Sequence, residues 1–129
     1  MAIQKVSREV SLANYICSQL EVPFCWGDND CVTFVLGWVK LKTGVDHKLS
    51  FLPWTNEAEA IVAIAAVGGI EKKCNELFVS VNPMCASDGD IALIGRTVYL
   101  FSGPNIVGPG IKGLVFEDRM RTKCAWSYP

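Results

Sequence analysis

The chain has 129 residues, of which 50% are hydrophobic and 19% are charged, and its 12 Lys and Arg residues nearly balance 13 Asp and Glu residues. This length and composition fit one hydrophobic core, so we expect a single domain over residues 1–129 rather than a disordered chain. The balanced charge excludes the basic surface that nucleic acids and anionic membranes require, so we expect neither as a partner.

The sequence does not indicate export or membrane insertion. The N-terminal stretch MAIQKVSREVSLANYI carries scattered charges and lacks the order of a secretion signal. The longest uncharged stretch, residues 60–70, is shorter than the roughly 20 apolar residues that cross a bilayer. In the reducing compartment that this implies, we expect all six cysteines to be free thiols. No two of them form a CxxC pair and the chain has one histidine, so we expect no metal site and no cofactor.

The first half of the chain has the spacing of helices. Apolar residues recur every three or four positions up to Pro23, and a second, almost wholly apolar segment ends at Thr43-Gly44, a helix C-cap signal. A third segment begins at Asn56 and ends at a glycine pair. Helices are therefore predicted over residues 7–20, 31–42, 56–67 and 70–76. We expect Trp38 in the core, and Trp54 either as a core or loop plug or as an anchor for a partner.

The second half has the pattern of short strands. Its apolar segments are rich in β-branched and aromatic residues and are separated by Pro, Gly, Asn and Asp clusters. The predicted strands are LFVSV, DIALI, TVYLF, GLVFE and KCAWSY. Helices followed by strands predict an α+β domain in which the N-terminal helices pack on one face of a C-terminal antiparallel sheet.

The segment PFCWGDNDCVTF, residues 23–34, places a thiol at the start of the second helix. Asp28, Asn29 and Asp30 are all good N-cap residues, so Cys31 is predicted in the first helical turn. Unpaired amides and the helix dipole lower a thiol pKa at such a position, whereas the carboxylates of Asp28 and Asp30 raise it. Cys31 is therefore a candidate nucleophile that needs a partner base, or a small side chain that lets the helix sit close to the sheet.

A series of short motifs runs along the chain in order. They are Pro-Phe-x-Trp-Gly-x-x-Asp-Cys-x-x-Phe at 23–34, Thr43-Gly44, Gly68-Gly69-Ile70, Gly89-Asp90-Ile91-Ala92-Leu93, Gly113-Leu114 and Ala125-Trp126. Together they resemble the small phage and prophage proteins related to the NlpC/P60 superfamily, and the WGxxDCxxF block is the most specific part. The resemblance implies a papain-like fold that is either circularly permuted or minimal, and a phage tail setting. Active members of the superfamily are cell-wall peptidases or amidases, whose nucleophile corresponds to Cys31.

The residue that completes such a catalytic pair is missing. The resemblance implies a histidine that begins the strand after the Gly-Asp strand, in a pattern like HVGIYLG, but this chain has TVYLFSG with Thr97 in that place. Neither Thr97 nor Arg96 accepts a proton from a thiol, because a hydroxyl is too weak a base and a guanidinium stays charged. The only histidine, His47, follows the far end of a helix about 18 Å long and is expected to be an exposed loop residue. The third polar residue of the site would be Asn105, although a turn role in SGPN is the simpler interpretation.

Two functions of different classes fit these observations. The first is a structural component of a phage virion, in the tail or tail tip, made in the host cytoplasm and bound to other tail or virion proteins. The missing base favours it, and the mean hydropathy of +0.28 fits a surface covered by neighbours. The second is a cysteine peptidase or amidase that acts on peptidoglycan peptide during phage entry, with Cys31 as nucleophile and the base supplied by an unexpected group or another chain. A peptide- or wall-binding module that kept the cleft without the chemistry is a third.

Overall fold

The computed structural model describes residues 11–128, which form four α-helices and a six-stranded antiparallel sheet. The helices are α1 (Leu12–Gln19), α2 (Cys31–Thr43), α3 (Glu57–Ala66) and α4 (Ile70–Leu77). The strands are β1 (Val79–Val81), β2 (Ile91–Ile94), β3 (Thr97–Ser102), β4 (Asn105–Gly110), β5 (Gly113–Asp118) and β6 (Cys124–Ser127). The predicted α+β class and the order of helices before sheet are confirmed.

Local capping explains where the helices begin and end. Helix α2 begins at Cys31 because Asp30 caps it, accepting from the Thr33 amide while the Thr33 hydroxyl accepts from the Asp30 amide. It ends at Thr43, and the C-cap Gly44 closes the last turn with a left-handed φ of 80°. Helix α1 begins one residue after its N-cap Ser11, and the part of the predicted helix over residues 7–10 lies outside the described residues.

The strands lie in the order β1-β6-β2-β3-β4-β5. Strand β4 was not predicted; Asn105 was interpreted as a turn residue, and the glycines and proline that follow disfavour a strand. It forms because Ile106 and Val107 are fully buried and because β4 pairs along its whole length with β5. A glycine at position 108 leaves room for the Tyr99 ring on the neighbouring strand, because a Cβ at this position would lie 3.0 Å from that ring.

The sheet has an apolar cluster on each face. The larger cluster lies between the sheet and the helices and contains most of α2, together with Val98, Leu100 and Trp126. Helix α2 packs across β3 and β4 and is the centre of this layer. The expected place of Trp38 in the core is confirmed, with 3% of its surface exposed.

The smaller cluster lies on the opposite face. Its buried members are Ala86, Ala92, Phe101, Ile106 and Ala125. Arg119 closes this side by donating to the carbonyls of Pro83, Ala86 and Gly103 and by stacking its guanidinium 4.7 Å from the Phe101 ring centroid. None of the helices described here is long and apolar enough to span a bilayer.

Candidate functional site

The loop before Cys31 is a rigid structure held by its own hydrogen bonds. Cys25 and Asn29 exchange backbone hydrogen bonds of 3.1 and 2.7 Å across the turn. The buried side chain of Asn29 donates to the carbonyls of Val22 and Pro23 at 3.2 and 3.0 Å. Asp28 is exposed and has its Oδ2 3.8 Å from the Cys25 sulfur. These hydrogen bonds therefore hold the loop in a single conformation immediately before the start of α2.

Asp30 is the most constrained residue of this loop. Its side chain is only 1% exposed. One carboxylate oxygen accepts from the Thr33 amide at 2.9 Å and from the Thr33 hydroxyl at 3.1 Å. The other accepts from the Gly27 amide at 2.8 Å and from the Trp54 indole at 2.6 Å. A buried carboxylate is tolerated when its oxygens are satisfied in this way, so Asp30 is fully engaged in holding the loop together.

Trp54 reaches Asp30 from a distant part of the sequence. It is 3% exposed, so the core or plug role is confirmed and the exposed anchor is wrong. The ammonium of Lys48 covers its outer face, 3.8 Å from the ring centroid. Gly27 is required beside it, because φ there is 86° and a Cβ would meet the Trp54 carbonyl oxygen at 2.3 Å. Sequence reasoning missed the Asp30–Trp54 pair, since no local pattern links residues 24 positions apart.

Cys31 is the first residue of α2 and packs against the helix-side core. The structure places it beside the Val98 backbone amide, near the start of β3. Pairing of β3 with β4 runs from Ser102 and Asn105 to Leu100 and Val107, so Val98 lies beyond the end of this ladder.

The environment of Cys31 favours the neutral thiol. The pKa of Cys31 is raised to about 11, mainly by burial and also by the Asp30 carboxylate, which acts in the direction that the sequence indicated. The backbone amides of Val98, Val32 and Cys31 itself act in the opposite direction. Desolvation is the largest of these effects, so the helix start does not by itself produce a reactive thiolate here.

Thr97 lies on the other face of the sheet from Cys31. It pairs in register with Ile94, and Ile94 packs on the smaller cluster. Residues directly opposite each other in an antiparallel pair point to the same face, and neighbours along a strand point to opposite faces. Val98 therefore faces α2 and Thr97 faces away, so the expected position of the base is not across from the sulfur.

Asn105 and His47 are also remote from Cys31. Asn105 is the first residue of β4, paired with Ser102, at the opposite end of β3 from Val98. His47 begins a 3-10 helix and packs edge-on against Phe78, with ring centroids 5.0 Å apart. Its predicted exposed loop environment is wrong, because the residue is half-buried, but it lies beyond the far end of α2 as expected. The structure brings neither residue to Cys31.

Tyr99, which the sequence did not single out, packs on the smaller cluster, on the opposite face of the sheet from Cys31. Its pKa is raised by burial first, then by Glu117 and by Cys31. A phenol with a raised pKa stays protonated at neutral pH and cannot take a proton from a thiol. The six cysteines are all free in the structure. The surroundings of Cys31 thus contain a neutral thiol and a carboxylate whose oxygens are already hydrogen-bonded.

Comparison with known proteins gives one family. Residues 4–128 match the model of a domain of unknown function, DUF6950, which covers nearly the whole chain, so the protein belongs to that family. No curated protein and no solved structure matches the chain.

Proposed function

We propose that this DUF6950 domain is a structural component of a phage virion, in the tail or tail tip, built on a degenerate NlpC/P60-like fold and acting without catalysis. The WGxxDCxxF block supports the phage setting and the superfamily relationship. A cysteine at the first residue of a helix that packs on an antiparallel sheet is the arrangement that this relationship implies. The partners are other tail or virion proteins.

The observation that carries the proposal is the surroundings of Cys31. A cysteine nucleophile needs a base within hydrogen-bond reach and a pKa low enough to supply thiolate. Here the pKa of Cys31 is about 11, and the only imidazole of the chain packs against Phe78 instead. A thiol in this state acts as a small apolar side chain at the junction of α2 and β3.

The rest of the motif has a structural use that accounts for its residues. Asp30 caps α2 and joins it to Trp54, Gly27 makes room for the Trp54 backbone, and Asn29 closes the loop. These interactions make a rigid surface loop, which is what an assembly module needs, and they leave the polar groups of the loop occupied by one another.

The proposal is tested on particles of the phage or prophage that encodes the chain. Quantitative mass spectrometry of purified particles is expected to find the protein at a fixed copy number, and electron cryo-microscopy is expected to locate it in the tail. A Cys31→Ala variant is expected to enter particles at the wild-type level. Absence of the protein from purified particles would overturn the proposal.

The cysteine hydrolase remains the second candidate because of the amides around the sulfur. The backbone N–H groups of Cys31, Val32 and Val98 lower the pKa of the thiol, and the same groups would stabilise an oxyanion formed beside it. In this candidate a neighbouring chain supplies the base, and the substrate is a peptide or amide bond of peptidoglycan.

Alkylation of Cys31 separates the two candidates. Iodoacetamide labelling is followed by mass spectrometry of the Cys31 peptide, so that the exposed Cys17, Cys25 and Cys85 do not contribute to the signal. The structural role predicts slow labelling with a midpoint near pH 11. A midpoint far below about 8.5, together with peptidoglycan lysis that is lost in Cys31→Ser, would establish the hydrolase instead.

A further inference from the structure

Helix α3 is apolar on two sides. Its inner side packs into the core, with Ala60 and Ala63 only 2% and 1% exposed. On its outer side, Ile61 and Val62 are 56% and 63% exposed. The outer residues follow the spacing i, i+3, i+4, i+7 that makes one continuous stripe on a helix. The outer stripe consists of Ala58, Ile61, Val62 and Ala65.

This stripe is unusual for the surface of a helix. A helix at the surface of a globular domain presents polar residues to water, whereas one that is apolar all round is normally buried. In α3 the charged residues are confined to the first turn, at Glu57 and Glu59. Leu52, itself 56% exposed, and Pro53 line a shallow hollow beside Ala58 and Val62, which widens the apolar surface. Contiguous exposed apolar surface of this kind marks a site of protein–protein interaction.

We propose that the partner is a second copy of this chain, whose α3 packs antiparallel against the first around a two-fold axis between Ile61 and Val62. In that arrangement Ile61 of each copy lies opposite Val62 of the other, and Ala58 lies opposite Ala65. The alanines near both ends allow the two helices to approach closely along the whole stripe. A two-fold interface is formed by the same surface patch of both copies. The stripe suits such an interface, because it has an alanine near each end and one branched apolar residue on each side of its centre.

A charge near each end of α3, one of them on α4, favours the antiparallel arrangement. Glu57 lies in the first turn, at the positive end of the helix dipole. Lys72 lies in α4, and its side chain passes over Gly68, just beyond the C-terminal end of α3: a Cβ on Gly68 would be 2.6 Å from Cδ and 3.2 Å from Nζ of Lys72. Neither residue makes a salt bridge within the described part of the chain. Antiparallel packing brings each Glu57 to the Lys72 of the other copy, whereas parallel packing brings like charges together.

The first test is the concentration dependence of the molecular mass. Sedimentation velocity from low micromolar to about 1 mM, the range in which weak complexes dissociate, is expected to show the mass moving from 14.1 kDa toward twice that value. Val62→Glu is expected to keep the protein monomeric throughout, while Leu49→Glu, at a position 84% exposed outside the stripe, is expected to dimerise normally. Circular dichroism checks that both variants fold. A wild-type monomer at all concentrations, or a dimer unaffected by Val62→Glu, would overturn the proposal.

A charge exchange tests the direction of packing. Glu57→Lys and Lys72→Glu are each expected to raise the dimer dissociation constant several-fold, because each places two like-charged pairs in the interface. The double variant restores opposite charges and is expected to return the constant toward the wild-type value. A double variant as weak as the single ones would contradict the antiparallel pairing. These measurements read self-association alone, so they stand or fall independently of the virion role.

Discussion

The indole Nε1 of Trp54 donates a 2.6 Å hydrogen bond to Oδ2 of Asp30, joining the loop before α3 to the N-cap of α2. The bond is buried and crosses 24 residues of sequence. It fixes the loop that precedes Cys31 and leaves no oxygen of the Asp30 carboxylate without a hydrogen bond.

Trp54→Phe is expected to lower the free energy of unfolding by about 2–3 kcal/mol, because it removes one donor from a buried charged group. Urea denaturation followed by circular dichroism measures the change. Trp126→Phe is the matched control, because Trp126 is as buried as Trp54 but its indole donates to the side chain of Asn75. Asn75 is exposed, so water can replace the lost hydrogen bond there. A loss at Trp54 no larger than that at Trp126 would contradict the importance of the buried carboxylate.

Gly27→Ala is expected to destabilise the protein more than Gly44→Ala. Both glycines have a left-handed φ, 86° and 80°, and placing alanine in that region costs about 1–2 kcal/mol. At Gly44 nothing lies within 4 Å of the added Cβ, whereas at Gly27 the Trp54 carbonyl oxygen lies at 2.3 Å. The difference between the two variants in urea denaturation isolates the cost of displacing Trp54, and equal losses would show that the contact yields freely.

Arg119→Lys is expected to destabilise the smaller core cluster by about 1–3 kcal/mol. The guanidinium donates to three carbonyl oxygens at 2.9–3.1 Å and stacks on Phe101, and an ammonium cannot reproduce that planar set of donors. Arg121→Lys serves as the control, because its ion pair with Glu117 is largely exposed and worth less than about 1 kcal/mol. Thermal unfolding of both variants gives the comparison, which fails if Arg121→Lys costs as much as Arg119→Lys.

The stability of the protein is expected to fall as pH rises above about 9. The Cys31 and Cys74 thiols have pKa values raised from 9.0 to about 11 and about 12 by burial. Above pH 9 the unfolded chain therefore loses these protons while the folded chain retains them, which favours unfolding. The contribution is fully present below pH 9 and is lost as pH approaches 11 to 12. Cys31→Ala is expected to show a shallower decline of unfolding free energy between pH 9 and 11, and an identical decline would contradict a buried neutral thiol.

Patterns of adjacent residues were enough to predict most of the fold. Helix α2 was predicted because Asp30 and Gly44 are capping residues at the two ends of one apolar run, and both act locally. Five strands were predicted from β-branched and aromatic runs. Strand β4 was missed because Gly108, Pro109 and Gly110 have low strand propensity. The strand forms because it pairs with β5 and because its residues Ile106 and Val107 are buried.

The sequence by itself determined the α+β class, the order of elements and the place of Cys31 at a helix start, because capping and periodicity act over a few residues. Only the tertiary structure decided the state of the site. Burial sets the pKa of Cys31, strand alternation turns Thr97 to the other face of the sheet, and Trp54 reaches Asp30 across 24 positions. The desolvation of a side chain and the face of the sheet that it meets depend on which distant segments pack together, and no local sequence pattern carries that information.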